Sequence, residues 1–517
     1  MASTAFGYTM QATSAAWLMA TLSPSPLMVA LVQTASTLPS LLFALVAGGM
    51  ADIVDRRRML LVTHALLFVA AATLALATYA QLIGPASLLL LVFLTGLGFT
   101  FSMPAQQAML GDLVPHAELM AAVNLGSVAA NASRAIAPAV AGTIATFVGT
   151  GSVFLTSAVS LGGMVYAVWS IRLTPHGRPA LAEKLFSSIQ SGLRFARHSP
   201  PTRAFIVRTF IFCLFGSSLF ALLPIVARDN LGLGAGGFGL LFGSFGAGAV
   251  FGAFSLTRLL PELSLNTRVN GAIVMFCSAI TLLGNTTMLA VAIGASLFAG
   301  LAWVSILSGL FSGALSWSPS WVRARVVATN LLVLQAGLAT GSLLWGWLAS
   351  ASHIGTALTA SAAGLLLTTI LTRRVRVSYG QERDVSTRVS MPDLIIAIEP
   401  HPRDGPVLIQ CEYSIARENC AAFLSTVAAL EPVRRRNGAE NWQVFRDLGN
   451  DSCFYERFVV ASWGEYTRLR TRITVVDHEL QERVVALQLP GVPIRISRLI
   501  AVNADFAASW EASAQGE

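Results

Sequence analysis

The chain has 517 residues, of which 54% are hydrophobic and only 12% charged, with a formal net charge of +8. A soluble protein carries about 25% charged residues, so a soluble fold is excluded for most of the length. Residues 1–376 hold 19 Arg/Lys and 7 Asp/Glu, a net of +12, whereas residues 377–517 hold 15 and 19, a net of −4. The basic charge therefore lies in short loops of the apolar part, a membrane signature that gives no reason to expect nucleic acid.

A bilayer-spanning helix needs ~20 mostly apolar residues. Twelve candidates follow one another: 2–22, 27–51, 59–80, 86–109, 119–145, 152–171, 209–227, 237–257, 269–284, 288–316, 326–350 and 354–372. No basic segment precedes the first run and no small-residue cleavage site follows it, so no cleavable leader is expected. Connections such as Ser23–Pro26, Gln81–Pro85 and Ala351–His353 are so short that consecutive helices must be antiparallel neighbours. Loops after even-numbered helices, with the segment after the last, carry seventeen Arg/Lys; loops after odd-numbered helices carry one, Arg228; Arg134 lies inside a helix. This bias places the even-helix loops and the tail in the cytoplasm. Cys213, Cys277, Cys411, Cys420 and Cys453 have no metal-ligand spacing and no disulfide framework, and read as free thiols.

The long loop 172–208 separates two halves of six helices. Within it Leu181, Leu185, Ile189 and Leu193 recur every four residues beside Lys184, Arg194 and Arg197, which predicts a basic amphipathic helix on the inner membrane surface. "LVPHAELMAAVN" (113–124) and "SPSWVRARVVATN" (318–330) each run from a proline to an Ala-x-Asn, ending at Asn124 and Asn330. This weak repeat fits two halves in parallel arrangement.

"GGMADIVDRRR" (48–58) joins helix two to helix three. Gly48, Asp52, Arg56 and Arg57 resemble the loop signature of the major facilitator superfamily, with Ile53 in place of a basic residue and Asp55 in place of the second glycine. "RFARHSP", "LGLGAGGFGLLFGSFGAGAVFGA" and "WVRARVVATNLLVLQAGLATGSLLWG" are similar to its transmembrane secretion effector subgroup, which includes relatives of the enterobactin exporter. That subgroup begins further upstream of the Met-Gln pair, here Met10-Gln11, so either the start is misassigned or the first helix is short and unflanked. The resemblance implies that helices two and eleven lie side by side across the halves. Asp52 would then meet the N-terminus of helix eleven, where a carboxylate is worth ~0.3–2 kcal/mol, and fasten the halves when the carrier opens outward. Arg56 and Arg57 would hold Asp52, and Arg323 or Arg325 would offer it a second partner. The alternative is that the arginines only anchor topology and Asp52 is an ordinary loop charge.

"NASRAIAPAVAG" (131–142) resembles the helix-five antiporter signature through Pro138 and Gly142, and implies a helix contact between the halves and export; the alternative is a kinked packing helix. Arg134 inside this helix costs several kcal/mol unless it faces protein or water. It is expected to face a central cavity, binding an anionic group or a polar partner, or else to be structural. Gln11, Gln33, Asn124 and Asn131 would line the same cavity or simply bond between helices. His64 is either a proton relay or a satisfied buried histidine. No Asp or Glu sits mid-helix, so proton coupling is implied by the resemblance only, and the family's arginine signature in helix four is missing from "LVFLTGLGFTFSMPA".

Residues 373–404 read as a linker. Beyond it a strand ("VLIQCEYSI"), a helix, strands at 441–447 and 453–461, a helix at about 464–486 and a strand at 493–500 give the order βαββαβ, a ferredoxin-like module. It resembles the dimeric αβ-barrel of the antibiotic biosynthesis monooxygenase group, which implies a homodimer. Heme-degrading relatives use Asn, Trp and His; Asn441, Trp442 and His478 are present, but nothing in the sequence gathers them.

The expected architecture is therefore an all-α membrane protein of twelve helices plus a C-terminal α+β ferredoxin-like domain. Its parts are 1–171, the central loop 172–208, 209–372, the linker 373–404 and 405–505. The expected function is secondary transport: proton-coupled efflux of a drug, siderophore or other small organic molecule across the cytoplasmic membrane by alternating access. No enzymatic activity, metal or cofactor is expected, and the partners are a small-molecule substrate and the bilayer. The alternatives are an importer of an anionic solute with the same fold, or a membrane-tethered monooxygenase.

Overall fold

Backbone placed in an apolar medium must satisfy its own hydrogen bonds, and helices do so within one segment. The computed structural model describes residues 2–115, 118–170, 185–259, 263–372, 377–381, 386 and 400–501; for residues 2, 52, 53, 111, 112, 127, 185–191 and 253–259 only the backbone is described. Most of the predicted linker and the first part of the central loop, with Leu181 and Lys184, lie outside the described residues. The helices are α1 (Ala2–Leu22), α2 (Pro26–Ile53), α3 (Arg56–Tyr79), α4 (Pro85–Leu113), α5 (Leu119–Phe147), α6 (Thr150–Ser170), α7 (Leu185–His198), α8 (Pro200–Ile225, continued by a π-turn to Asn230), α9 (Ala235–Leu259), α10 (Leu265–Asn285), α11 (Leu289–Ser316), α12 (Arg323–Ala351) and α13 (Ile354–Leu371).

Among the described residues ten helices are long and apolar enough to cross a membrane. α1 and α5 have the length but are not among the ten: hydroxyls and Gln11 in α1, and Asn124, Asn131 and Arg134 in α5, lower their hydropathy. The expected seventh span, 209–227, starts nine residues earlier, at Pro200. Proline at a first helical position gives up no hydrogen bond, so Arg203 and Arg208, expected in the loop, belong to α8. The predicted amphipathic helix is α7, whose last turn carries Arg197 and His198.

Local chemistry fixes the connections. Pro26 and Pro85 open α2 and α4. Asp55, which departs from the loop signature, is the N-cap of α3: its Oδ1 accepts from the Arg58 backbone N–H at 2.7 Å. Gly149 turns α5 into α6 with φ +95°, a conformation a side chain would resist.

The described chain forms two compact units. The first takes residues 1–185, 204–312 and 328–378. Its second half has an aromatic core, in which Phe212 (4.8 Å), Phe220 (4.8 Å) and Phe276 (5.9 Å) surround Trp303. In its first half His64 is fully buried, with Nδ1 2.9 Å from the Leu60 carbonyl and Nε2 beside Thr4 (3.1 Å) and Gln106 Nε2 (3.3 Å). A carbonyl on one nitrogen and an amide donor on the other describe a neutral, fully satisfied ring.

The second unit takes residues 186–203, 313–327 and 379–517. Strands β1 (Val407–Ser414), β2 (Glu440–Arg446), β3 (Cys453–Val460) and β4 (Arg495–Ile500) form one antiparallel sheet in the order β2-β3-β1-β4. Val407, Ile409, Cys411 and Tyr413 alternate inward, as the pattern in the sequence requires, and meet Phe423, Phe454, Phe458 and Trp463. Each expected helix is divided in two: α14 (Cys420–Ala428) and α15 (Leu430–Arg436), then α16 (Trp463–Thr471) and α17 (Val475–Val485). Thr474 and Asp477 restart the last helix by exchanging backbone hydrogen bonds at 3.3 and 3.1 Å.

A charge is buried in this core. Glu456, fully buried, accepts from Arg434 (3.0 and 3.4 Å), the Trp442 indole (2.9 Å) and the Tyr413 hydroxyl (2.9 Å). Burial alone would raise its pKa, but the Arg434 charge and these three donors outweigh it and hold the carboxyl below the ordinary carboxylate value. Elsewhere in the unit the Trp321 indole meets the edge of Phe195 from α7 (5.7 Å, 88°) and the Arg472 guanidinium (4.2 Å from the ring centre).

Candidate functional site

Short connections alternate the helices, so the first unit has two ends: one where α1 meets α2 at Ser23, and one where α2 meets α3 at Arg56. Two seams join its six-helix halves, and both lie toward the Ser23 end. In the first, α2 packs on α12: the Leu27 N–H donates to Ser350 Oγ (2.9 Å), a Cβ on Gly346 would stand 2.3 Å from that of Ala30, and Thr34 Oγ1 meets Ser342 Oγ (2.8 Å). In the second, α5 packs on α9. A Cβ on Gly142 would lie 2.6 Å from the Gly239 Cα, one on Gly246 2.6 Å from the Ala135 Cα, and one on Gly236 2.6 Å from Thr146 Oγ1. Pro138 belongs to this seam, its carbonyl 2.9 Å from where a Gly239 Cβ would be. Small residues at helical spacing let two backbones touch, which is how helices associate where no hydrophobic effect draws them together.

The α5 stripe that seals on α9 continues toward the Arg56 end through Asn131, Val128 and Asn124, at i, i+3 and i+7 spacing. There it is uncovered: Val128 is 65% exposed, and Asn131 and Asn124 are exposed. Val250 of α9 and Leu331 of α12 are likewise open, and a Cβ on Gly48 of α2 would meet nothing within 4 Å among the described residues. Both seams thus close one end and part toward the other.

Arg134 is exposed where the α5–α9 seam ends. Its Nη1 donates to Asn131 Oδ1 (3.3 Å), and it stands within electrostatic reach of Tyr8, whose ring stacks on Phe99 of α4 (4.0 Å, 15°). Gln11, one turn beyond Tyr8, is buried and donates to Thr95 of α4 (2.7 Å); its Oε1 has no partner among the described residues. Gln33 is half-buried on α2. The structure therefore joins Gln11 with α4 and Arg134 with Asn131; among the described residues no hydrogen bond links the Gln33 or Asn124 side chain to either pair. Asn330, the repeat counterpart of Asn124, is buried with both side-chain polar atoms unpartnered among the described residues.

Sequence reasoning misses the contact made by Arg228. This arginine follows α8, held by Asp229 (2.5 and 3.0 Å), and its Nη1 donates to the carbonyls of Ala20 and Ser23 (3.2 Å to Ser23) in the other half. A guanidinium on the carbonyls that end α1 satisfies both the open acceptors and the helix dipole. The available signal is its isolation as the one basic residue in its set of loops.

At the Arg56 end, Arg56 Nη1 reaches the Ala108 carbonyl (3.4 Å), and Arg57 donates to the carbonyls of Val168 (3.3 Å) and Trp169 (2.6 Å). These arginines thus tie α3 to the ends of α4 and α6 within one half. The Asp52 side chain lies outside the described residues. Arg323 and Arg325 open α12, and Arg325 packs on α7, its Cβ 2.8 Å from where a Gly192 Cβ would be. In the tail, Trp442 donates to Glu456, His478 pairs with Glu482 (2.9 Å), and Asn441 is exposed with φ +49° on a strand irregularity. Each of the three is accounted for separately.

Residues 1–505 match the family described as transmembrane secretion effector. Among curated proteins, a staphyloferrin A transporter of Staphylococcus aureus is 30% identical over 144 residues, 28% of this chain. The match spans about a third (36%) of that relative's length. Similar solved structures include the nucleoside transporter NupG (TM-score 0.58, 11% identity, 72% of this chain and 96% of that one). The xylose transporter XylE from E. coli in an inward-open conformation is also similar (0.55, 10%, 74% and 96%). So is a bacterial homologue of the lysosomal transporter Spinster, inward-facing and unoccupied (0.54, 14%, 72% and 94%). At these identities the likeness shows the fold alone.

Proposed function

We propose that this chain, which belongs to the transmembrane secretion effector family of major facilitator transporters, exports a small organic molecule across the cytoplasmic membrane by alternating access. Twelve helices cross the bilayer: the ten apolar ones together with α1 and α5, whose polar residues face the pathway. The Arg56 end and the tail are cytoplasmic, as the arginine bias requires, so the conformation is inward-open. The observation that carries this reading is the pair of seams, closed toward Ser23 and parted toward Arg56. A parallel repeat maps α2 on α9 and α5 on α12, and so turns one seam into the other. Arg134, with Asn131 and Tyr8, is the contact for a carboxylate or phosphate on the substrate; Gln11, Gln33 and Asn124 are further polar contacts on the same path. The partial likeness to a staphyloferrin A transporter supports including molecules of that kind among the candidates. The tail is a ferredoxin-like module that pairs two chains and has no catalytic role.

The arrangement has two locks with opposite effects. Asp52 against the start of α12 holds the cytoplasmic side shut in the outward-open state; Arg228 on the end of α1 holds the outer side shut in the state described above. Asp52→Asn is expected to shift the balance roughly five- to thirty-fold toward inward-open, for a loss of ~1–2 kcal/mol. Arg228→Met removes charge-assisted bonds worth ~1.5–3 kcal/mol and should shift the balance toward outward-open. A cysteine at Thr34, over a cysteine-free background, reports both: labelling from outside should slow in the first variant and rise at least tenfold in the second. Changes of the same sign in both would defeat the orientation. A strain lacking the protein should retain the exported compound, seen as drug sensitivity or reduced siderophore release. Spectral binding of heme or flavin to the full-length protein would favour the monooxygenase reading instead.

A further inference from the structure

The last domain does not stand alone. The second unit joins it to α7 and to residues 313–327, the turn between α11 and α12 with the first residues of α12. α12 therefore begins in the second unit and continues in the first. Three contacts make the junction. The Arg472 guanidinium, at the end of α16, lies 4.2 Å from the centre of the Trp321 ring, and Phe195 of α7 meets the same ring in a T-shaped pair (5.7 Å). The Arg325 stem lies along α7, its Cβ, Cγ and Cδ 2.8, 3.6 and 3.7 Å from where a Gly192 Cβ would be. A Cβ on Gly438 would stand 3.4 Å from Arg194 Nη2 of α7 and 3.5 Å from Glu465 Oε2 of α16. The buried face of α7 is thus not the stripe that ends at Leu193, which is open, but Gly192, Phe195 and Ala196.

Glu465 steadies the guanidinium of Arg472 at 3.3 Å and holds Arg468 with its other oxygen at 3.3 Å. The Arg325 charge is within electrostatic reach of Arg472, so moving one changes the other. A cation on an indole face gains most where both are desolvated, and Arg472 is 7% exposed. We propose that the last domain is a brake on the carrier: docked through Arg472 on Trp321, it keeps the first turn of α12 on α7 and so opposes closure of the Arg56 end. This rests on the alternating-access reading, in which Asp52 closes on that same turn and Arg325 is one of its partners. An Arg325 stem engaged along Gly192 must leave α7 before Asp52 can use it. Undocking frees the turn and favours the outward-open state, and the shift is limited to the differential free energy of the docked contact.

The test uses the full-length chain with two readouts: hydrogen exchange on the purified protein, and labelling of the Thr34→Cys reporter on intact cells by a membrane-impermeant maleimide. Arg472→Gln should raise exchange in α7 and at residues 322–330 by about two- to thirtyfold, the span of one cation–π contact, and should raise labelling as well. β1 and β3 should keep their protection, because the core beneath the sheet does not include Arg472. Arg472→Lys keeps a cation for the ring and should return both readouts most of the way, which a mere loss of packing would not allow. Trp321→Leu keeps apolar bulk without the π face and should reproduce Arg472→Gln; it decides the matter should Arg472→Gln not fold. Unchanged exchange would remove the dock, and raised exchange with unchanged labelling would remove the brake. Arg228→Met, run alongside, separates the two readings. Labelling that answers to Arg228→Met but not to Arg472→Gln overturns the brake alone, whereas labelling that answers to neither overturns the transport reading with it.

Discussion

Gly142→Leu is expected to lower transport ten- to a hundredfold, whereas Gly163→Leu leaves it unchanged. The side chain at position 142 would start 2.6 Å from the Gly239 Cα and 2.9 Å from the Ala235 carbonyl, both backbone atoms that no rotamer change can move. Overpacking a tight contact costs ~1–3 kcal/mol, and each 1.4 kcal/mol is about tenfold in an equilibrium. The cost falls on the state in which α5 and α9 touch. A Cβ on Gly163 of α6 would meet nothing within 4 Å among the described residues, so the same substitution there controls for bulk. Cysteines at Thr146 and Gly236 give a direct readout. The Cβ positions are 3.6 Å apart, within disulfide range, so they should cross-link in the native background and fail to do so in the Gly142→Leu background. Intact cross-linking together with full transport would remove the seam from the mechanism.

Glu456→Gln should unfold the C-terminal sheet locally while leaving the helical bundle in place. It strands Arg434, only 6% exposed, without its counter-charge. Breaking a buried pair from one side costs ~3–5 kcal/mol, a large part of a domain's ~5–15 kcal/mol. Hydrogen exchange in β1 and β3 should rise by two or more orders of magnitude. Adding Arg434→Met should recover much of the loss, because the buried cation goes as well. The pH dependence has a definite sign. The folded carboxyl titrates below its unfolded value of ~4.3, so the stabilisation is complete above that pH and is lost as pH falls through the lower folded value. Protection of β1 that is insensitive to acid down to pH 3 would contradict the network.

The legible parts of the fold are those with a local signal. Apolar runs yield the helices and their order, and alternation from Val407 to Tyr413 yields the first strand. Pro138 and Gly142 can be read as a contact because small residues at helical spacing have few other uses. Three features escape for physical reasons. The expected seventh span falls short of α8 because Arg203 and Arg208 count against an apolar run, although Pro200 marks a helix start. Glu456 stands at an inward position between Phe454 and Phe458, a place that demands a partner, but the partner, Arg434, is 22 residues away in a run of three arginines. The hold of Arg228 on Ala20 crosses 208 residues, and no pattern along the chain reports such a distance.

The Trp321 contact has a consequence for synthesis. Its three parts enter the chain far apart: Phe195 between the two halves, Trp321 between α11 and α12, and Arg472 in the final domain. At ~5–20 residues per second, the roughly 180 residues from Trp321 to the end of β4 take ~9–36 s to emerge. During that interval the Trp321–Phe195 pair lacks the Arg472 guanidinium that lies over the indole. A chain that ends before Arg472 lacks that contact permanently. The cation over the indole is thus the last part of this contact to be made, and its presence reports that synthesis has passed Arg472.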